Sequence, residues 1–134
     1  MDAFTGEVRV RRMLAVCAAG RILNTKTAHS QVIGGMATGL GAALTEEMVF
    51  DKRLGFFVNH DLAGYQVPVH ADIPRMEVHL IDEIDPTISP VKAKGVGELG
   101  LPGVALAVAN ATGVRMREYP ITLDKHLDRL PPVV

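Results

Sequence analysis

Between positions 28 and 49 the apolar residues Val32, Ile33, Met36, Leu40, Ala43, Leu44 and Met48 recur at helical spacing, yet the same stretch holds Gly34, Gly35, Gly39 and Gly41. Each glycine costs about 1 kcal/mol relative to alanine at an exposed helix position. A helix over 28–49 that keeps four of them makes physical sense when another backbone or a cofactor lies directly on that face. For any one glycine, close helix packing is a plainer reading than contact with a ligand. Gly35-x-x-x-Gly39 is no membrane signal, because Glu46 and Glu47 follow it. No apolar run reaches the ~20 residues that a membrane-spanning helix needs.

The segments around this helix read as follows. Residues 6–18 alternate imperfectly and are rich in Val, Arg and Leu, which predicts a strand. Gly20-Arg21 is a turn, and Asn24-Thr25-Lys26-Thr27 is a polar loop suited to starting the helix. Residues 51–55 form a hairpin turn between two apolar stretches. Residues 60–74 show no period, and 76–81 alternate as a strand with Glu77 and His79 on its polar face. The stretch 82–100 has no regular pattern and exceeds the ~12–15 residues usual for a loop without a function of its own. It feeds an apolar helix over 101–111, with Pro102 in the first turn and Thr112-Gly113 as the stop. A short strand over 114–119 follows. Thr122 then caps an amphipathic helix over 123–130 that Pro131-Pro132 ends. Strands and helices are interspersed without β-α-β repetition. This predicts one α+β unit over 1–134: a mixed sheet, two main helices and a short C-terminal helix.

Composition narrows the function classes. Hydrophobic residues make up 48% and charged residues 22%, which is globular, and with 4% aromatics the core must be aliphatic. Fourteen Lys+Arg stand against fifteen Asp+Glu with no basic stripe, so nucleic acid is not an expected partner, and Arg9, Arg11 and Arg12 read as the wet face of a strand. Cys17 stands alone, which excludes an internal disulfide and an all-Cys metal site, and its apolar neighbours predict a buried thiol. His29, His60, His70, His79 and His126 lack metal-ligand spacing, so no protein-ligated metal is expected. The N-terminal residues do not resemble a secretory signal and read as a polypeptide entered in mid-course.

The loop over 91–103 carries the chemistry. Gly95-x-Gly97-x-x-Gly100, a helix, and Glu118 about 20 residues on imitate a dinucleotide-binding fingerprint. The segment before it, Ser89-Pro90-Val91-Lys92-Ala93-Lys94, argues against that reading. A first strand of such a fold is nearly all apolar, whereas this one holds a proline and two lysines. Glu98 sits at the mouth of the apolar helix, near Lys92 and Lys94. The helix N-terminus and these cations favour its ionised form, as a general base requires. A helix-capping glutamate fits the same residues equally well.

Lys94-Gly95-Val96-Gly97-Glu98 followed by an apolar helix resembles the active-site glutamate motif of the xanthine dehydrogenase/aldehyde oxidoreductase family of molybdenum hydroxylases. Gly20-Arg21-Ile22-Leu23-Asn24, Gln31-Val32-Ile33-Gly34-Gly35, the run from Gly39 to Glu47, Tyr65-Gln66-Val67-Pro68 and Ala71-Asp72-Ile73-Pro74 resemble further segments of that family, in family order. Gly97-Glu98-Leu99-Gly100 and the run from Tyr119 to Lys125 bring the likeness closest to bacterial aldehyde oxidoreductases. The resemblance implies the C-terminal part of a molybdopterin-binding subunit, with Glu98 as the base in hydroxylation of an aldehyde or N-heterocycle. It implies that Arg21, Ile22, Leu23, Asn24, Thr25, Lys26, Thr27 and Gln31, with Lys94, Gly95, Val96 and Gly97, bind a molybdopterin cofactor in its cytosine dinucleotide form. FAD and 2Fe-2S clusters would lie on other domains or subunits. The expected partners are the rest of the subunit, those electron-transfer subunits and the small-molecule substrate, with neither nucleic acid nor membrane. The chain alone is expected to be inactive, and self-association through exposed apolar surface is the behaviour expected of a non-catalytic packing module. The default compartment is the cytoplasm, or the periplasm where a partner subunit carries an export signal.

Overall fold

The computed structural model describes residues 1–2 and 4–130. Its centre is helix α1, Thr25–Leu44. Asn24 starts it: its backbone is extended and its side-chain oxygen accepts the Thr27 N–H at 3.1 Å. That satisfies one of the unpaired donors of the first turn. The polar run from Asn24 to Thr27 is therefore cap and first turn, and the helix begins three residues ahead of the expected start at 28. It stops at Leu44 because the N–H groups of Thr45 and Glu46 both turn back onto the Gly41 carbonyl at 2.9 Å. The Ala43 carbonyl takes the Ile121 N–H at 2.7 Å, so that helix end is satisfied from a distant segment. Met48 and Val49, which continue the apolar period, are exposed beyond the helix.

Strands β1 (Arg12–Cys17) and β4 (Arg75–Leu80) pair in parallel, from Arg12 opposite Arg75 to Cys17 opposite Leu80. Their inner residues Met13, Ala15, Cys17, Met76, Val78 and Leu80 pack on Val32 and Met36 of α1. The strand expected over 6–18 thus forms a ladder only over its second half. Val8 and Val10 are half-buried while Glu7, Arg9 and Arg11 are exposed, so the alternation is real but no strand pairs with it. On the outer face Glu77 pairs with Arg75 at 3.0 Å, and beside it Leu14 and Val16 stand more than half or half exposed.

The turn expected at 51–55 joins β2 (Phe50–Asp51) to β3 (Phe56–Phe57) in an antiparallel hairpin. The Asp51 carboxylate accepts the N–H of Arg53 at 2.8 Å and of Leu54 at 3.3 Å. The strands therefore lie in two separate small sheets, one parallel pair packed on α1 and one antiparallel hairpin.

Helix α2 spans Gly103–Thr112, with Pro102 just before it and Gly113 at φ 72° as its left-handed stop. Residues 114–119 are not a strand. Val114 and Met116 pack with Val108 and Ile121, and this inward packing, with no ladder, produces the alternation. Helix α3 (Leu123–His126) continues into a 3-10 turn, Leu127–Arg129, with Thr122 before it making no side-chain cap bond. The stop expected at Pro131-Pro132 lies outside the described residues. His126 is buried, with Nδ1 2.7 Å from the Thr122 carbonyl and Nε2 3.0 Å from that of Gly6, which ties this last turn to the start of the chain. Cys17 is buried, as its neighbours suggested.

Candidate functional site

The partner that Gly35 and Gly39 call for is the loop that carries Glu98. A Cβ on Gly35 would lie 3.0 Å from the Glu98 Cα and 3.3 Å from its carbonyl carbon. A Cβ on Gly39 would fall 2.7 Å from the Leu101 Cα, closer than real Cβ contacts come. In return, Gly100 brings its own backbone against Met36, where a Cβ would come within 3.0 Å of the Met36 nitrogen. Val96 packs into the cluster of Cys17, Val32 and Met36. The loop is thus pressed into α1 by Val96 and rests backbone on backbone at Glu98, Gly100 and Leu101. Gly34, one residue from Gly35 but turned away, has nothing within 4 Å of its would-be Cβ.

Glu98 itself has a left-handed backbone, φ 41°, a region that costs a non-glycine residue roughly 1–3 kcal/mol and persists where packing enforces it. Its carbonyl accepts the Leu101 N–H at 3.2 Å. The helix-cap alternative fails on geometry. α2 begins at Gly103, the residue before it is Pro102, and no side chain caps it. Glu98 is exposed, and its carboxylate joins none of the ion pairs or side-chain hydrogen bonds among the described residues.

One helical turn towards the start of α1, at Gln31, a groove of about 170 Å³ opens. Of the residues predicted to bind the cofactor, Arg21, Ile22, Leu23, Asn24, Thr27, Gln31, Lys94 and Val96 line it together. Thr25 lines a neighbouring groove of about 500 Å³ with Arg21, Ile22 and Lys92. Lys26 is exposed and lines neither, and Glu98 lies outside both. The groove exists because two distant segments are stitched together. Gly20 bridges Ala93, the Arg21 N–H donates to the Lys92 carbonyl at 2.7 Å, and the Lys94 N–H donates to the Ala19 carbonyl at 2.9 Å. Gly95 and Gly97 continue from this stitch with open space where a Cβ would be.

The electrostatics suit an anion at the groove but not at every predicted residue. The first turn of α1 leaves backbone N–H groups without intrahelical partners, at the positive end of a twenty-residue helix. Arg21 and Lys92 enter no ion pair among the described residues. Lys94 does: its ammonium lies 2.9 Å from Glu83 and 3.3 Å from Asp85. The Glu83 hydrogen bond raises the Lys94 pKa above its ordinary 10.5. The Thr87 hydroxyl and N–H, and then Lys94, hold the Asp85 carboxyl down at about 2. Lys92 lining the neighbouring groove beside Arg21 was not anticipated from sequence, where it counted only as a charge near Glu98. The pairing of residues 19–21 with 92–94 that brings it there leaves no local signature.

A loop seated on Gly35 and Gly39 thus presents an exposed carboxylate with no ion-pair partner among the described residues, one helical turn along α1 from a groove lined by Arg21, Gln31 and Lys94. The chain belongs to the molybdopterin cofactor-binding domain family, whose model matches residues 1–74. It is 72% identical over 134 residues to the aldehyde oxidoreductase molybdenum-binding subunit PaoC of Escherichia coli K12, which covers 97% of this chain and 18% of that protein. It is 38% identical over 126 residues to the putative xanthine dehydrogenase molybdenum-binding subunit XdhA of the same strain, covering 91% of this chain and 17% of that one. Among solved structures, the aldehyde oxidoreductase of Desulfovibrio gigas superposes with a TM-score of 0.77 at 32% identity over 95% of this chain and 14% of that one. Quinoline 2-oxidoreductase of Pseudomonas putida 86 gives a TM-score of 0.81 at 26% identity, over 98% of this chain and 18% of that one. The chain therefore spans less than a fifth of these relatives. The resemblance to molybdenum hydroxylases and the α+β fold both hold. The dinucleotide-fingerprint alternative does not, because a turn and a single bridge at Ala93, not a strand, precede Gly95.

Proposed function

We propose that this chain is the part of a molybdenum hydroxylase subunit that carries the general base, Glu98, and one wall of the cofactor site, in an enzyme that oxidises aldehydes. The observation that carries the reading is the seat of Glu98. A non-glycine residue is held at positive φ on a helix glycine, with its carboxylate free of every protein partner described. Such a group is neither a cap nor half of an ion pair, so its lone pairs remain available to take a proton from an oxygen beside it. The preference for aldehydes over N-heterocycles rests on the 72% identity to an aldehyde oxidoreductase subunit.

The chain's own residues fit an anionic cofactor of the pterin dinucleotide kind, here taken as the cytosine form. Arg21, Thr25 and Thr27 at the start of α1, and Gln31 supply cationic and polar contacts, with Ile22, Leu23 and Asn24 shaping the groove. The N–H groups of Gly95, Val96 and Gly97 extend the donor set as a backbone anion nest. When bound, the molybdenum cofactor supplies the two-electron oxidation and the oxygen transfer. Iron–sulfur and FAD subunits would carry the electrons onward, and the rest of the molybdopterin-binding subunit would close the site. Exposed apolar residues such as Leu14, Val16 and Leu106 support a larger assembly that covers them. A site walled on one side does not retain cofactor tightly, so the chain alone has no turnover.

The test is Glu98→Gln in the assembled enzyme. Turnover falls by at least ~10²-fold, the scale of acid–base catalysis, while molybdenum per subunit stays at the wild-type level. Undiminished turnover would remove the base assignment and favour a packing module that keeps the fold without the chemistry.

A further inference from the structure

We infer that Lys94 is a positioning residue that latches the Glu98 loop to the 83–85 segment, and that its ammonium does not hold the cofactor's phosphates. This rests on the proposed role of Glu98. Two carboxylates, Glu83 at 2.9 Å and Asp85 at 3.3 Å, flank the one ammonium, so the cluster carries a net negative charge and repels an anion. All three side chains are only about a quarter to a third exposed, which shields the pairing from solvent more than a surface ion pair is shielded. The second oxygen of Glu83 is enclosed with no hydrogen-bond partner, so this carboxylate depends on Lys94 for its compensation. Asp85 is itself fixed by the Thr87 hydroxyl at 2.7 Å and N–H at 3.0 Å. The latch is therefore anchored at its far end.

The backbone of the same residue is fixed as well. The Lys94 N–H donates to Ala19, and the neighbouring Ala93 carbonyl accepts the Ser89 hydroxyl at 3.2 Å. From this anchor the loop has four residues in which to reach Glu98, with Val96 in the core and Glu98 on Gly35. Two glycines lie in that span, so the stretch is pliable and its register depends on what holds its ends. Gly35 holds one end and the Lys94 latch the other. Lys92, which enters no ion pair among the described residues, lines the neighbouring groove with Arg21, but Asp82 and Glu83 line it too.

The experiment compares Lys94→Met, Lys94→Arg and the double variant Glu83→Gln/Asp85→Asn in the assembled enzyme, reading kcat, KM, molybdenum content and amide hydrogen exchange over 94–98. Lys94→Met and the carboxylate double variant both exchange faster over 94–98 and lose roughly 10- to 100-fold in kcat, the cost of slight misplacement. Their molybdenum content and KM are unchanged, and Lys94→Arg retains most of the activity. If Lys94→Met loses molybdenum while the double variant keeps wild-type exchange and kcat, Lys94 is a phosphate ligand and the inference is overturned. Unchanged exchange in both variants overturns it equally. The exchange readout does not depend on catalysis, so it decides the latch even where Glu98→Gln retains turnover and the base assignment fails.

Discussion

Two sets of glycines meet at this site, and they do different work. Gly35 and Gly39 lie inside a regular helix, where glycine is a poor choice, and each is pressed against the backbone of the 98–101 segment. Gly95 and Gly97 lie in the loop whose pattern first draws attention, yet a Cβ on either would meet nothing within 4 Å and neither has a positive φ. The helix glycines are needed by the protein's own packing. The loop glycines are not, which leaves close approach by a bound group, or freedom of the loop, as what they provide. Motif prominence and steric necessity are thus separate properties, and here they fall on separate elements.

The contrast makes a ranking that experiment can break. Gly39→Ala carries the largest cost, because the added methyl meets the Leu101 main chain, which cannot rotate out of the way as a side chain would. Overpacking of this kind costs about 1–3 kcal/mol, and thermal unfolding of the assembled enzyme should record it together with loss of activity. An unchanged melting temperature would mean that α1 and the loop separate easily. Gly97→Ala belongs to the other set. It should leave the melting temperature nearly unaltered and lower the molybdenum retained per subunit after dialysis. A marked loss of stability would show that the loop glycines are structural after all.

A smaller effect sharpens the loop side of the comparison. Asp85 has its pKa lowered from 3.8 to about 2, first by the Thr87 hydroxyl and only later by Lys94. A depressed carboxylate stabilises the fold above its unfolded pKa and loses that contribution as pH falls through the folded value. The loosening of residues 94–98 specific to Asp85 should therefore develop between about pH 4 and pH 2. Asp85→Asn should remove that step from the exchange profile. A step that survives the substitution would assign it to another carboxylate.

Much of this was legible locally. The period of Val32, Met36 and Leu40 marked α1, Asp51 and Gly55 marked the hairpin turn, and Gly113 marked the end of α2. The α1 glycines announced a close backbone neighbour. What they did not announce was which segment it is, because the contact between Gly35 and Glu98 spans more than sixty positions and carries no periodic signal. The same limit explains the other differences. Residues 114–119 alternate because they pack under α2, not because they pair, and α1 ends early because Thr45 and Glu46 turn back onto Gly41 while Ile121 satisfies Ala43 from afar. The stretch 82–100 has no regular pattern, and only folding brings Lys94 between Glu83 and Asp85 within it. The groove is the most telling case. The resemblance pointed separately to 21–27 with Gln31 and to 94–97, but only the bridge between Gly20 and Ala93 brings residues of both into one groove.

Gly35 and Gly39 seat the Glu98 loop on one face of α1, and neighbouring positions on that helix test this seat most directly. Gly34→Ala and Gly35→Ala should be made singly in the assembled enzyme and compared in kcat and thermal stability. Gly34→Ala should keep wild-type kcat and gain up to about 1 kcal/mol, since alanine is the better helix residue and the space is open. Gly35→Ala pushes against the Glu98 backbone at 3.0 Å and should lower kcat at least ~10-fold by displacing the proposed base. Equal kcat in the two variants would contradict the account.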